Sequence, residues 1–357
     1  MTAQKVAVFG DADFIAIFEK QSALPDPSEV QCLCRRAEAE TLKRGVQCKI
    51  GVGVVRPQFL RTLKPSIFSY ELLTFGDVVW GDAATLTLIP PMSPSDIPLE
   101  DAWRTLCNRM IELLEVSYSE PAESTQIPLE IQYRLVKLWL DMATSFLLFA
   151  DSYAPTYSKR ERNLRTLAAT ESKQNPWPFS PIEFSSIVTR ATTWRISGVD
   201  VCAQFSEWRM YQESVKYARM LWRWELCRLT GSRDDLSDRQ LCERWMRTRP
   251  VRLNIRGWLH ALRKRGCRSW RYWPRWVSLG LRASPRYWIY RAAGELLFHP
   301  STRLTGGRIA GAPKECDQVY NWLLENPAGD SVAVNNWRAL AADIVWNYKE
   351  FLVDTRS

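Results

Sequence analysis

Histidine is nearly missing: the 357 residues hold only His260 and His299. Neither has a supporting constellation around it, which argues against a His-based metal centre and against a Ser-His-Asp mechanism. The nine cysteines include no Cys-x-x-Cys and no Cys/His cluster at zinc spacing. Their odd, scattered pattern reads as reduced thiols and a cytoplasmic compartment. No Gly-x-x-x-x-Gly-Lys-Ser/Thr loop occurs, and no Gly-x-Gly-x-x-Gly follows a strand-like run. The P-loop and the dinucleotide fingerprint are thereby excluded. No apolar run reaches about 18 residues free of charge, so no transmembrane helix is expected. The first residues lack the basic and apolar blocks of a signal peptide. Internal repeats and low-complexity stretches are absent.

Two carboxylates stand out against this background. Asp11 and Asp13 open the apolar run Gly10-Asp11-Ala12-Asp13-Phe14-Ile15-Ala16-Ile17-Phe18. On a β-strand, residues i and i+2 share a face, so both acids project side by side. Adjacent carboxylates repel unless a cation lies between them. A hard divalent ion such as Mg²⁺, which takes oxygen ligands and tolerates phosphates in its shell, suits the pair. The bland alternative is two solvated turn residues.

The elements that follow give the pair a context. Asp26-Pro27-Ser28 carries helix-start chemistry, and the helix is expected to stop near Gly45. Cys48–Val55 is a β-rich run. Arg56-Pro57 and a short helical stretch then lead to Phe68–Asp82, where a further short strand is expected. Glu71, Leu72, Gly76, Val78, Val79, Trp80, Gly81 and Asp82 in that stretch, together with Asp11 and Asp13, resemble the nucleotidyltransferases of the polymerase-beta superfamily, in the group containing the kanamycin nucleotidyltransferases. The likeness covers residues 7–95 and extends loosely to about 165. It implies a small mixed β-sheet, Asp11 and Asp13 as catalytic metal ligands, and a nucleoside triphosphate as substrate; Gly10 and Lys49 are the candidate cofactor-binding positions beside them. It also implies a neighbouring helical bundle that can lend a general base. Asp141 is a candidate by position, and an i,i+4 ion pair with Lys137 is the plainer reading.

Two departures qualify the likeness. The family places a Gly-Ser motif ahead of its Asp-x-Asp to hold the terminal phosphates. Met1–Phe9 contains none, by loss or because the start lies upstream. The third acid of the family should fall on Cys48–Val55, yet the inward positions are Lys49, Gly51 and Gly53. A two-metal site short of one carboxylate holds its second ion poorly and lacks a group to activate the acceptor hydroxyl. Weak or absent transfer is expected. Lys49 could place a fixed charge where a metal once sat, or could be an ordinary solvated lysine.

Beyond residue 95 the apolar period changes from 2 to 3.6. Asp96 and Pro98 open a helix with Trp103, Leu106, Met110, Leu113 and Leu114 on one stripe. A second helix places Leu135, Leu138, Trp139, Met142, Phe146 and Phe149 on one face. A third runs through Tyr211, Val215, Ala218, Trp222 and Leu226 to about Gly231. Asn175-Pro176-Trp177-Pro178 marks an irregular connection and a soft boundary over Ser172–Pro181. The expected organisation is α+β: a nucleotidyltransferase-like domain over 1–95, a helical bundle over 96–235 and a basic, Trp-rich helical region over 236–357.

That last region has no acid between Arg244 and Arg291, and its positive charge exceeds the +9 of the whole chain. Trp245, Trp258, Trp270, Tyr272, Trp273, Trp276, Tyr287, Trp288 and Tyr290 are interleaved with the arginines. Arginine with aromatics suits nucleic acid or nucleotide polyphosphate. It equally suits an anionic membrane surface, or a helical core whose surface happens to be basic. Two functions follow as alternatives. One is a weak or inactive nucleotidyltransferase moving a nucleoside monophosphate to an acceptor hydroxyl. The other is a non-catalytic nucleotide- or nucleic-acid-binding module acting through Arg244–Arg291.

Overall fold

The computed structural model describes residues 10–19, 21–46, 48–119, 127–170, 177–197, 205–298, 304–305, 308–309, 323–325 and 337–352. The chain is α+β and mostly helical. It divides into two compact units, one made mainly of residues up to Pro98, the other mainly of residues from Leu99 onward.

The first unit begins with β1 (Gly10–Ile17) and β2 (Cys48–Val55), which pair in parallel. A parallel pair needs a crossover, and α1 (Pro27–Lys43) supplies it. Asp26 caps α1: its carboxylate accepts from the Ser28 amide at 2.8 Å, while Glu29 accepts from the Asp26 amide. Gly45, at φ 82°, lies just beyond the helix, in a conformation that favours glycine. Helices α2 (Pro57–Arg61) and α3 (Ile67–Phe75) follow, the latter capped by Ser66, whose hydroxyl accepts from the Ser69 amide at 3.0 Å.

Two expectations are corrected here. The described sheet of this unit is purely parallel, not mixed. The further strand expected within Phe68–Asp82 is not formed. Phe68–Phe75 belongs to α3, and Gly76–Asp82 has no regular structure. Gly76 stops the helix: its amide donates to the Leu72 carbonyl at 2.9 Å, and a Cβ there would lie 2.4 Å from that oxygen. Val79 and Trp80 then face solvent, Trp80 at 92 % exposure. The β-rich composition of Val78-Val79-Trp80 finds no sheet edge to join. The unit is thinly packed, with no buried residue on α1 and only Val55 buried among the described residues of the two strands.

The second unit contains α4 (Leu99–Ser119), α5 (Leu129–Phe149), α6 (Tyr157–Ala169), α7 (Pro181–Ser197, whose last turn groups with the first unit), α8 (Trp208–Thr230) and α9 (Asp238–Arg247). It continues with α10 (Val251–Arg265), a 3₁₀ segment over Gly266–Tyr272, α11 (Trp273–Gly280) and α12 (Pro285–Leu297). Strands β3 (Leu304–Thr305) and β4 (Arg308–Ile309) form a short antiparallel ladder, and α13 (Trp337–Phe351) completes the described elements.

Helix α4 packs against α5, α8, α12 and α13. Its first turn carries Glu100 and Asp101, which favours the positive end of the helix dipole. Helix α5 is buried nearly all round from Ile131 to Phe149, rather than on the single expected face. Core side chains come from both sides of Ser172–Pro181 and both sides of residue 235: Phe146, Phe184, Leu226, Trp245 and Trp288 belong to one cluster. Residues 171–176 of the soft boundary lie outside the described residues. Helix α8 ends at Gly231, a left-handed cap with φ 61°. Among the described residues no helix is long and apolar enough to cross a membrane.

Candidate functional site

The parallel register sets Asp11 beside Lys49 and Asp13 beside Gly51, with Gly10 opposite Cys48. Alternation along the strand puts the two aspartates on one face, and both are exposed. Lys49 is exposed on the neighbouring strand. The Asp13 carboxylate leans across the sheet onto Gly51: a Cβ at that glycine would meet Oδ1 at 2.7 Å. Gly51 thus lies beneath the tip of the exposed Asp13 side chain, and a side chain at position 51 would require that carboxylate to swing aside.

The frame around the pair is held by polar ties. The Ile50 amide, on β2, donates to Glu38 Oε1 of α1 at 2.9 Å. The Arg56 guanidinium reaches back to the Glu19 and Ser22 carbonyls, the second at 2.6 Å. The first ties α1 to β2, and the Arg56 bonds tie the end of β2 to the segment that follows β1. Of the residues that carried the family likeness, Glu71 and Leu72 sit in α3, and Asp82 caps the following 3₁₀ turn by accepting from the Ala84 amide at 2.9 Å.

No protein-family model, curated protein or solved structure matches this chain.

Asp141, the candidate general base, has another occupation. Its Oδ2 accepts from Arg109 Nε of α4 at 2.6 Å, and Arg109 also pairs with Glu112. Arg134 of α5 pairs with the same Glu112. Burial opposes the charge on Arg109, yet Asp141 and Glu112 together raise its pKa above the ordinary arginine value. A carboxylate held this way anchors two helices. The sequence suggested Lys137 as its partner because i,i+4 spacing is the only relation visible locally, whereas Arg109 lies 32 residues away.

A second buried acid was not foreseen. Glu225 of α8 is fully buried, and Ser145 donates to its Oε1 at 2.5 Å. Burial pushes its carboxyl up to about 8, against the lowering effect of the Ser145 hydroxyl. The sequence signal was a glutamate in the Trp222–Leu226 stripe of an otherwise apolar helix face.

The Arg244–Arg291 stretch separates into two populations. Trp245, Trp258, Trp276, Tyr287, Trp288 and Tyr290 are buried in the core. Arg291, at 2 % exposure, pairs with Glu243 and Glu295. Arg249 pairs with Glu100 and lies 3.6 Å above the Trp245 ring, and Arg265 pairs with Glu325 and Glu350. The other population faces outward: Arg244, Arg247, Arg252, Arg256, Arg263, Arg271, Arg282, Trp270 and Trp273 are exposed.

Proposed function

We propose that the first unit is a nucleotidyltransferase-like domain that binds a magnesium-bound nucleoside triphosphate at Asp11 and Asp13 and transfers its nucleotidyl group slowly or not at all. The observation that carries this reading is the placement of Asp11 and Asp13 side by side on one exposed face of the parallel pair, with Lys49 and Gly51, not an acid, opposite them. The donor set fits one hard cation. Magnesium is commonly held by one or two carboxylates with waters and substrate phosphates completing its shell. A two-ion cluster does not fit, because among the described residues no three His, Cys, Asp or Glu side chains gather to hold a metal.

When bound, the ion would neutralise phosphate charge. The chain's own contribution is to place Asp11 and Asp13 on a common face, with Lys49 supplying a cation beside Asp11 for an anionic group. Transfer additionally asks for a group that accepts the acceptor's proton, and losing such a carboxylate removes several kcal/mol of transition-state stabilisation. Asp141 is committed to Arg109 and is not that group.

Calorimetry with nucleoside triphosphates, with and without Mg²⁺, tests the reading. Magnesium-dependent binding that disappears in Asp13→Ala is expected, with little labelled product from labelled triphosphate in a mixed extract. Equal binding without Mg²⁺, or in the variant, would reduce Asp11 and Asp13 to a solvated pair. Rapid turnover would overturn the impaired-transfer part.

A further inference from the structure

Helix α10 turns Asn254, Trp258 and Ala261 into the core. Gly257 lets the helix approach closely, since a Cβ there would lie 3.0 Å from Ser284 Cβ. Its remaining apolar side chains do something unusual for a helix in such a bundle. Val251, Ile255, Leu259 and Leu262, spaced i, i+4, i+8, i+11, form a stripe that is exposed along its whole length. Arg252, Arg256 and Arg263 stand beside that stripe. With Ile255, Leu259 and His260 they line an open cavity of about 450 Å³.

Helix α11 repeats the pattern. It packs on α10 where Gly280 meets the Trp258 indole. It buries Trp276 and Leu279. Trp273, Val277 and Leu281, at i, i+4 and i+8, are exposed, Val277 at 65 % and Leu281 at 84 %. Trp270, in the segment between the two helices, is 71 % exposed. Neither helix contains an acid. The ion pairs made by Arg249 and Arg265 lie at the two ends of α10, leaving the middle arginines outward.

We propose that the α10–α11 face is an interfacial membrane surface that lies on a bilayer rich in anionic phospholipid. Guanidinium groups match lipid phosphates in charge and in geometry. Valine, isoleucine and leucine gain from contact with hydrocarbon, and tryptophan suits the headgroup level. The aliphatic stripes favour lipid over nucleic acid. Single-stranded nucleic acid is held by stacking on aromatic faces, and most aromatics of this stretch are spent in the core. The protein would rest on the bilayer without crossing it. This surface is independent of nucleotide binding by Asp11 and Asp13.

Sedimentation of the full chain with vesicles tests the proposal. Vesicles of phosphatidylcholine alone are compared with vesicles in which phosphatidylserine replaces part of it. At least about tenfold tighter binding to the anionic vesicles is expected, weakening with salt. Combined Arg252→Glu, Arg256→Glu and Arg263→Glu substitution should abolish the preference. Combined Ile255→Ser, Leu259→Ser and Val277→Ser substitution keeps every charge and should weaken vesicle binding by at least about tenfold. All six side chains are exposed, so thermal melting should stay near that of the parent. Equal binding to neutral and anionic vesicles, or none to either, overturns the proposal. So does full binding by the serine variant. If that variant also binds single-stranded RNA as tightly as the parent does, the arginines read a phosphate polymer rather than a membrane.

Discussion

Arg109 Nε lies 2.6 Å from Asp141 Oδ2, so one ion pair fastens α4 to α5 at the centre of the helical unit. Both side chains are largely withdrawn from water. Removing Asp141 leaves Arg109 with Glu112 as its remaining carboxylate partner, so the cost is less than for a fully orphaned buried charge, about 1–3 kcal/mol. Asp141→Ala is therefore expected to lower stability by that amount in urea titration. Nucleotide binding measured on the folded fraction should not change. A stable Asp141→Ala protein that had lost nucleotide binding would return the residue to a functional role.

Glu225 makes stability depend on pH in a defined direction. Its carboxyl titrates near 8 in the folded chain, against 4.5 in the reference state. Between those values the folded state holds a proton that the unfolded state has lost. Stability is then greatest below about pH 4.5 on this account and falls as pH rises through 8, by at most about 1.4 kcal/mol per unit. Glu225→Gln removes the titrating group and keeps an acceptor for Ser145. It should melt above the parent at pH 8, with the gap closing toward pH 5. A gap of constant size across that range would refute the buried-acid account.

Two tryptophans a short distance apart in sequence should answer oppositely to truncation. Trp258 is buried and donates to the Ala283 carbonyl at 2.8 Å, whereas Trp270 faces solvent. Trp258→Ala should cost about 3–5 kcal/mol of stability, and Trp270→Ala no more than about 0.5 kcal/mol. Chemical denaturation of the two variants separates them. Comparable losses would mean that Trp270 packs against something in solution.

The legible parts of this fold are those that local chemistry dictates. Asp26-Pro27-Ser28 marks the start of α1, Cys48–Val55 reads as a strand, and Gly231 closes α8. The start of α4 was visible to within a few residues, although Pro94–Asp96 forms a 3₁₀ turn and the helix begins at Leu99. The further strand expected within Phe68–Asp82 failed for a tertiary reason. Strand composition is realised only where a neighbouring edge offers hydrogen bonds, and Gly76 turns this segment away from a regular structure. Pairing of Asp141 with Arg109 was illegible because no periodicity links side chains on different helices. The family likeness pointed to Asp11 and Asp13, whereas the cross-strand placement of Lys49 beside Asp11 and Gly51 beside Asp13 became visible only in the register of the parallel pair.

The Glu38 contact to the Ile50 amide bears on what the edge of the sheet offers to another strand. A two-stranded sheet exposes backbone groups that another chain can pair with, and such edges nucleate aggregation. Here a helix side chain occupies one of those groups on β2 at 2.9 Å. A strand arriving along that side would have to displace a charged carboxylate before its ladder could form. Glu38 thus covers one of the backbone donors that an added strand would need.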